Sequence, residues 1–232
     1  MTEHTVKSYD DELNQLSGMV RRMGALAEAQ LAHALDSLAR GDADLAARVI
    51  AGDAAIDTLE FEVQHVTVRL LALRQPMASD LRLIVSALKM ASSLERIGDY
   101  AANIAKRSLI LAGMPPVPVL PAVLQVGSLV ADLLKSVLDA FAALDVDLAV
   151  AAWSRDAEVD DQYTALVQQL VATMTSDART ITACTHLLFI AKNIERIGDH
   201  ATNIAESLHF LVKGRPLTER RPKGHEGVGD GA

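Results

Sequence analysis

The sequence is poor in cysteine and in aromatic residues. It has one cysteine, Cys184, in 232 residues, and aromatic side chains make up 3% of the chain. A single cysteine excludes a disulfide within the chain, and the place of Cys184 on an apolar helical stripe predicts a small buried hydrophobe. The sequence also has no glycine-rich phosphate loop and no combination of nucleophile and base. We therefore do not predict an enzyme.

An excess of basic residues is also missing, since the formal net charge is −8. This charge argues against nucleic acid as the main partner. Residues 1–7 lack the basic-then-apolar pattern of a signal peptide. The uncharged run 108–131 is long enough to cross a membrane, but four prolines forbid a continuous helix there: Pro115, Pro116, Pro118 and Pro121. We therefore predict a soluble, cytoplasmic protein.

Alanine and leucine dominate the chain, and alternating apolar and polar runs of the kind that form strands are absent. This composition predicts an all-α fold, and the short connections between helices, together with a plan that repeats along the chain, predict two tandem antiparallel three-helix bundles. The expected domains are a first bundle over 1–112, a proline-rich linker over 113–121, a second bundle over 122–212 and a disordered tail over 213–232. The six helices are expected at about 10–39, 43–74, 79–111, 122–144, 147–175 and 177–212.

Polar residues at the predicted helix starts indicate N-caps, since a side-chain oxygen there accepts from a free backbone N–H. Asp42 or Asp44 is expected to cap the second helix, and Ser79 the third. Ser176 or Asp177 is expected to cap the last helix.

One sequence stretch occurs twice. Leu94-Glu-Arg-Ile-Gly-Asp99 returns 100 residues later as Ile194-Glu-Arg-Ile-Gly-Asp199, and Ala-Ala-Asn-Ile-Ala after the first copy matches Ala-Thr-Asn-Ile-Ala after the second. The repeat predicts two copies of one unit. In each copy the helix is apolar on two sides, so we expect it to lie between neighbouring helices. His200, which faces away from Glu195, is predicted to lie on the helix surface.

Each predicted unit carries two acidic pairs on adjacent antiparallel helices. One pair comes early in the second helix and the other late in the third, so antiparallel packing brings both to the same end of the bundle. Glu60 extends the pair in the first unit, whereas Tyr163 stands at the matching place in the second. The candidate metal ligands are Asp53, Asp57, Glu60, Glu95 and Asp99 in the first unit and Asp156, Asp160, Glu195 and Asp199 in the second.

Carboxylates four residues apart on a helix repel each other by roughly 0.2–0.5 kcal/mol even when they are exposed. Either arginine partners such as Arg96 and Arg196 or a bound cation must offset this cost. Oxygen ligands without cysteine or histidine suit Mn, Fe, Mg or Ca better than a structural Zn site. Gly98 and Gly198 each cost about 1 kcal/mol within a helix, which indicates close approach of a neighbouring helix or an ion.

The doubled motif carries a family resemblance. Both copies follow the pattern [LI]-E-R-I-G-D-[HY]-A-x-N-I-A, preceded by Met77-Ala-Ser-Asp-Leu-Arg82 in the first unit and by His186-Leu-Leu-Phe-Ile-Ala-Lys-Asn193 in the second. These residues strongly resemble the PhoU family, accessory regulators of phosphate-specific transport. The resemblance covers roughly residues 5–213.

The resemblance implies a non-enzymatic, cytoplasmic and often dimeric protein built from two three-helix bundles that are related by a pseudo-twofold axis. PhoU-like proteins couple the ATPase of the phosphate ABC transporter to a phosphate-sensing histidine kinase and keep phosphate-starvation genes off. In some members the E/D-x-x-x-D motifs bind multinuclear metal clusters. Carried over to this sequence, that property implies Fe, Mn, Mg or Zn at the paired acids, with more ligands in the first unit because Tyr163 replaces a carboxylate.

Three hypotheses stay open at this point. The favoured one is a signalling adaptor whose bundle surfaces bind the transporter ATPase and the kinase, and which reaches the membrane only through its partners. The second is a metalloprotein that uses the carboxylate clusters for redox chemistry or metal storage. The third is a helical scaffold whose acids are simply solvated.

Overall fold

The structure, a computed structural model, describes residues 2–217, and all of the regular secondary structure in that range is helical. Its helices are α1 Thr2–Arg40, α2 Ala43–Arg74, α3 Ala78–Leu111, α4 Leu120–Ala143, α5 Val146–Ser154, α6 Asp156–Ser176 and α7 Ile181–Lys213, with a short 3-10 helix at Ala178–Thr180. No strand occurs among the described residues. The all-α prediction is confirmed, whereas most of the predicted disordered tail (218–232) lies outside the described residues.

The helices form two three-helix bundles, as the repeat predicts. Helices α1, α2 and α3 pack against one another, and α4 and α7 pack with α5 and α6, which together take the place of α2 in the second unit. The bundles meet where α3 packs on α7 and α1 on α4. Both apolar sides of the repeated helix are buried, at Ile84 and Ile97 in α3 and at Cys184 and Ile197 in α7. The burial of Cys184 confirms its prediction as a core residue.

Two glycines bring α1 and α4 into close contact. A Cβ atom built on Gly24 of α1 would lie 2.7 Å from Leu138 Cδ2 of α4, and one on Gly127 of α4 would lie 2.5 Å from Leu35 Cδ2 of α1. Each glycine therefore accommodates a leucine of the opposite helix. This reciprocal contact fixes the second interface between the bundles.

Asp42 caps α2, since its Oδ1 atom accepts from the Leu45 N–H at 2.8 Å. Asp177 begins the 3-10 helix by accepting from the Arg179 N–H at 3.0 Å. Ser176 instead donates to the Thr173 carbonyl at 2.9 Å within α6. The prediction that Ser79 caps α3 is wrong. The helix begins one residue earlier, after a Met77 N-cap with no side-chain hydrogen bond, so Ser79 already lies inside it.

The second helix of the second unit is interrupted at Arg155, so the prediction of one continuous helix over 147–175 is wrong. The backbone hydrogen bonds change there from the i→i−4 pattern of an α-helix to the i→i−3 pattern. The Arg155 N–H donates to the Ala152 carbonyl and the Glu158 N–H donates to the Arg155 carbonyl, both at 3.0 Å. Trp153, just before the break, is 2% exposed. Its indole Nε1 donates to Glu206 Oε1 of α7 at 3.0 Å and ties α5 to the repeated helix.

Helix α4 begins at Leu120 with Pro121 in its first turn, a position that tolerates proline because the missing N–H has no partner there in any helix. Among the described residues, α4 alone is long and apolar enough, by length and composition, to cross a membrane. One face of α4 packs against α7, α5 and α1. The core helix of a water-soluble bundle has the same composition and packing.

Candidate functional site

The first unit brings its acids within electrostatic range of one another. Burial raises the pKa of Asp53 above its ordinary value, and the charges of Asp57 and Asp99 raise it further. Burial likewise raises the pKa of Glu95, with added contributions from Asp99, Glu60 and Asp57. Carboxylates from α2 and α3 therefore share one region of negative potential, at the end of the bundle where the sequence places them.

Gly98 allows the Asp53 carboxylate to approach α3. A Cβ atom at Gly98 would lie 3.1 Å from Asp53 Oδ1 and 2.8 Å from Ile56 Cδ1, so a larger residue would press on both side chains of α2. Asp53 Oδ1 is buried and has no hydrogen-bond partner among the described residues. A buried carboxylate oxygen without a partner is costly, and here the cost is not offset by the protein itself.

Arg96 offsets part of this charge. Its Nε lies 3.5 Å from Glu95 Oε2, and its Nη1 lies 3.4 Å from Asp99 Oδ2. The guanidinium is more than half exposed, and such ion pairs contribute little to stability because water screens them. Arg196, its counterpart, instead donates to the Tyr100 hydroxyl at 3.3 Å. The arginines of the two repeats thus have different partners.

The second unit compensates its acids in a different way. Asp156 is 2% exposed and is the first residue of α6, where the partial positive charge of a helix N-terminus stabilises a carboxylate. Lys192 Nζ lies 2.7 Å from Glu195 Oε2. A Cβ atom at Gly198 would have its nearest neighbour, Val159 Cγ1, at 3.5 Å, which is ordinary contact. The break at Arg155 is what places Asp156 at a helix N-terminus, and the spacing of the acids in the sequence does not predict that break.

The acids do not form a ready-made coordination sphere. Within residues 9–217, no three His, Cys, Asp or Glu side chains are grouped closely enough to hold a metal ion together. The first unit nevertheless fits an oxygen-preferring cation in its donor chemistry, and the unpartnered Asp53 Oδ1 leaves negative charge for a cation to offset. In the second unit Glu195 Oε2 is also buried without a hydrogen bond of good geometry, but Lys192 Nζ lies 2.7 Å from it, so a positive charge already faces that carboxylate.

His200 is partly buried, so its prediction as a surface residue is wrong. Its ring lies 5.8 Å from that of Tyr100, centroid to centroid, at the contact between α3 and α7. Burial lowers the pKa of His200, while the nearby charge of Asp199 opposes that shift. The prediction considered only the angular position of His200 on its own helix. In the structure α3 of the other unit packs beside that helix and covers part of the side chain.

Comparison with known proteins identifies the family. The model of the PhoU domain matches residues 20–108 and 123–208, one match in each unit. The chain is 54% identical over 224 residues to a phosphate-specific transport system accessory protein PhoU homolog of Caulobacter vibrioides, covering 96% of this chain and 97% of the relative. A homolog of the same description from Xylella fastidiosa is 49% identical over 95% of this chain and 93% of the relative.

Two solved structures share the fold. The crystal structure of PhoU from Pseudomonas aeruginosa superposes with a TM-score of 0.86 at 39% identity and covers 89% of this chain and 100% of that one. The phosphate transport system regulatory protein PhoU from Streptococcus pneumoniae gives a TM-score of 0.83 at 32% identity, over 90% of this chain and 99% of that one.

Proposed function

Since this chain belongs to the PhoU family, we propose that it is an adaptor between the phosphate ABC transporter and a phosphate-sensing histidine kinase. It binds the ATPase subunit of the transporter and the kinase, and it represses the phosphate-starvation response when phosphate is ample. It works in the cytoplasm as a homodimer and reaches the membrane only through its partners. Its relatives named as accessory proteins of phosphate-specific transport support this proposal.

The observation that carries the adaptor proposal is the unlike outer faces of the two units. On α2, Phe61 and Val68 are 68% and 67% exposed, and their spacing of seven residues places them on one helix face. At the matching places in α6 stand Thr164 and Val171, so the second unit has no aromatic anchor there. Exposed aromatic and aliphatic side chains mark protein-binding surfaces. Two different faces on one rigid chain suit two different partners.

We expect the double variant Phe61→Asp/Val68→Asp to lose one of the two partners. Affinity capture should recover both the transporter ATPase and the kinase with the wild-type chain, and recover at least about tenfold less of one of them with the variant, as for loss of an interface anchor. Both side chains are exposed, so the unfolding temperature should hardly change. Val171→Asp is the matched control on α6. Capture of neither partner, at both high and low phosphate, would overturn the adaptor proposal.

We further propose that the acids of the first unit bind a cation such as Mn²⁺, with Fe, Mg²⁺ and Zn²⁺ as the alternatives. Asp53 and Asp57 of α2 and Glu95 and Asp99 of α3 would hold it. A bound cation supplies positive charge that offsets carboxylate repulsion and joins α2 to α3. The unpartnered oxygen of Asp53 and the raised pKa values of Asp53 and Glu95 support this proposal.

Without added metal, we expect the double variant Asp53→Asn/Glu95→Gln to be more stable than the wild type at pH 7, by about 0.5 kcal/mol. The folded-state pKa values of both acids are raised. Their contribution to wild-type stability is therefore complete below the ordinary carboxyl pKa of about 4 and is lost as the pH rises through the raised values. Urea unfolding between pH 4 and pH 8 should show this loss in the wild type and a flatter profile in the variant.

Glu195→Gln is the matched control, since Lys192 already pairs with Glu195 and neutralisation removes that ion pair. It should be neutral or slightly destabilising. Added MnCl₂ should then raise the unfolding temperature of the wild type and leave that of the double variant unchanged. An equal rise in both would contradict the cation proposal. If the double variant were less stable than the wild type without metal, repulsion among the acids of the first unit would not destabilise the protein, contrary to the proposal.

A further inference from the structure

A solvent-open cavity of about 590 Å³, with both polar and apolar residues in its lining, lies at the contact between the two bundles. Helix α3 lines it with Lys89, Ser92 and Ser93, and α7 lines it with residues that include His200 and Asn203. Pro216 and Leu217, just after α7, close one side. Apart from one glutamate, the polar groups of the described lining residues are a cation, hydroxyls, an amide and an imidazole, which together can donate several hydrogen bonds.

Apart from the Ser207 hydroxyl, which donates to a backbone carbonyl of α7 at 2.8 Å, the side-chain donors of this cavity have no hydrogen-bond partner within the described residues. Lys89 is exposed and forms no ion pair among the described residues, and its Nζ lies 5.9 Å from the centre of the Phe210 ring. The Nδ1 atom of His200 is buried and has no hydrogen-bond partner within the described part of the chain. Glu206, the single acid among the described lining residues, already accepts from the Trp153 indole at 3.0 Å. Counting only the residues that the structure describes, the cavity thus offers one cation without an ion pair, beside a carboxylate that is held by another residue.

The cavity has no counterpart with the same residues at the place that the internal repeat relates to it. One hundred residues after Lys89 stands Phe189, and one hundred residues before Ser207 stands Arg107. The Arg107 guanidinium lies over the Phe189 ring at 4.1 Å and contacts His186 Nδ1 at 3.3 Å. At the symmetry-related place, therefore, a stacked arginine–phenylalanine pair occupies the position that Lys89 and the smaller Ser207 take at the cavity.

We propose that this cavity binds a phosphate-class oxyanion, with Lys89 supplying the charge and Ser92, Ser93 and Asn203 supplying neutral donors. Charge-assisted hydrogen bonds from a lysine and hydroxyl groups are the usual means by which proteins hold such anions. The proposal that an anion binds here rests only on the residues that line the cavity. Its use as a signal, which reports phosphate to the contact between the two bundles, rests on the function proposed above.

The lining also favours phosphate over sulfate. Hydrogen phosphate carries an O–H group near neutral pH, and the carboxylate of Glu206 can accept that proton in a hydrogen bond. Sulfate has no proton to donate and would meet the same carboxylate as a repelling charge. The volume also admits the phosphate group of a larger molecule such as a nucleotide, so free and esterified phosphate are both candidate sources.

The test is isothermal titration of the full chain with sodium phosphate, sodium sulfate and ATP at constant ionic strength and pH. We expect saturable binding of a phosphate compound that weakens by at least about tenfold in Lys89→Ala and in Asn203→Ala. Lys135→Ala, which removes an exposed lysine of α4 paired with Asp139, is the charge-matched control. Asn103→Ala, which changes the repeat counterpart of Asn203, is the position-matched control.

Tighter binding of inorganic phosphate would assign the site to the free anion, and tighter binding of ATP would assign it to an esterified phosphate; either result supports the proposal. Absence of saturable binding by the intact chain would overturn it, as would equal losses in the Lys89 and Lys135 variants. Sulfate binding as tight as phosphate binding would overturn the assignment to phosphate. These outcomes are independent of partner capture, so failure here leaves the adaptor proposal standing, and the reverse also holds.

Discussion

Gly98→Ala should destabilise the protein, although alanine is the better helix former. The added Cβ would lie 2.8 Å from Ile56 Cδ1 and 3.1 Å from Asp53 Oδ1, and Ile56 is fully buried. Overpacking a core contact costs about 1–3 kcal/mol. The gain in helix propensity returns only about 1 kcal/mol. We therefore expect a net loss of up to about 2 kcal/mol in the free energy of unfolding.

Gly198→Ala is the matched control, because it makes the same change in the other copy of the motif. Its Cβ would have its nearest neighbour at 3.5 Å, so no side chain has to move. We expect this variant to be more stable than the wild type by up to about 1 kcal/mol. Urea unfolding followed by circular dichroism would measure both variants. Equal shifts of the same sign would contradict the unequal packing of the two glycines.

The Gly98 variant also tests the acidic region. A methyl group 3.1 Å from Asp53 Oδ1 would push this carboxylate away from α3, and Mn²⁺ should then stabilise Gly98→Ala less than it stabilises the wild type. Gly198→Ala should keep the full response.

The fold could be predicted because its signals are local and repeated. The helix boundaries follow Gln75-Pro76, the proline-rich linker and the Asp42 cap, and each of these acts within a few residues. The interruption at Arg155 was missed because no proline or glycine marks it. The residues there are compatible with helix, and what distinguishes the break is the contact of Trp153 with Glu206, 53 residues away.

The candidate site was predictable in part for the same reason. Spacing on two antiparallel helices placed Asp53 and Glu95 at one end of the first bundle, where their charges interact. The same spacing in the second unit gave no sign that Asp156 begins a new helix or that Lys192 pairs with Glu195. The cavity beside Lys89 was not predicted, because it forms only when α3 of one unit packs on α7 of the other.

Trp153→Ala should have the largest effect of any substitution considered, a loss of about 3–5 kcal/mol in the free energy of unfolding. Trp153 is 2% exposed and joins the short α5 to α7 through its indole N–H. Truncation would leave a cavity beside the helix break and would leave Glu206 without its donor. The chain has one tryptophan, so the unfolding of this variant must be followed by circular dichroism rather than by indole fluorescence.

Because cavity formation and hydrogen bonding both contribute, the variants Trp153→Phe and Glu206→Ala are needed to separate them. Phenylalanine keeps most of the buried volume and removes the N–H donor. A hydrogen bond to a charged group contributes about 1.5–3 kcal/mol. The double variant should therefore lose about 1.5 kcal/mol less than the sum of the two single losses. Additive losses would show that the 3.0 Å contact contributes nothing to stability.

The same three variants also test whether this hydrogen bond affects phosphate binding in the cavity. In Trp153→Phe the carboxylate of Glu206 loses the donor that holds it, and its freed charge lies in the wall of the phosphate cavity. Phosphate binding should therefore weaken in Trp153→Phe. In the double variant the carboxylate is gone together with the acceptor for the phosphate proton, so phosphate should bind there no more tightly than sulfate. A Trp153→Phe protein that binds phosphate as tightly as the wild type would show that the indole does not control this charge. The tryptophan beside the helix break would then stabilise the fold without acting on the site.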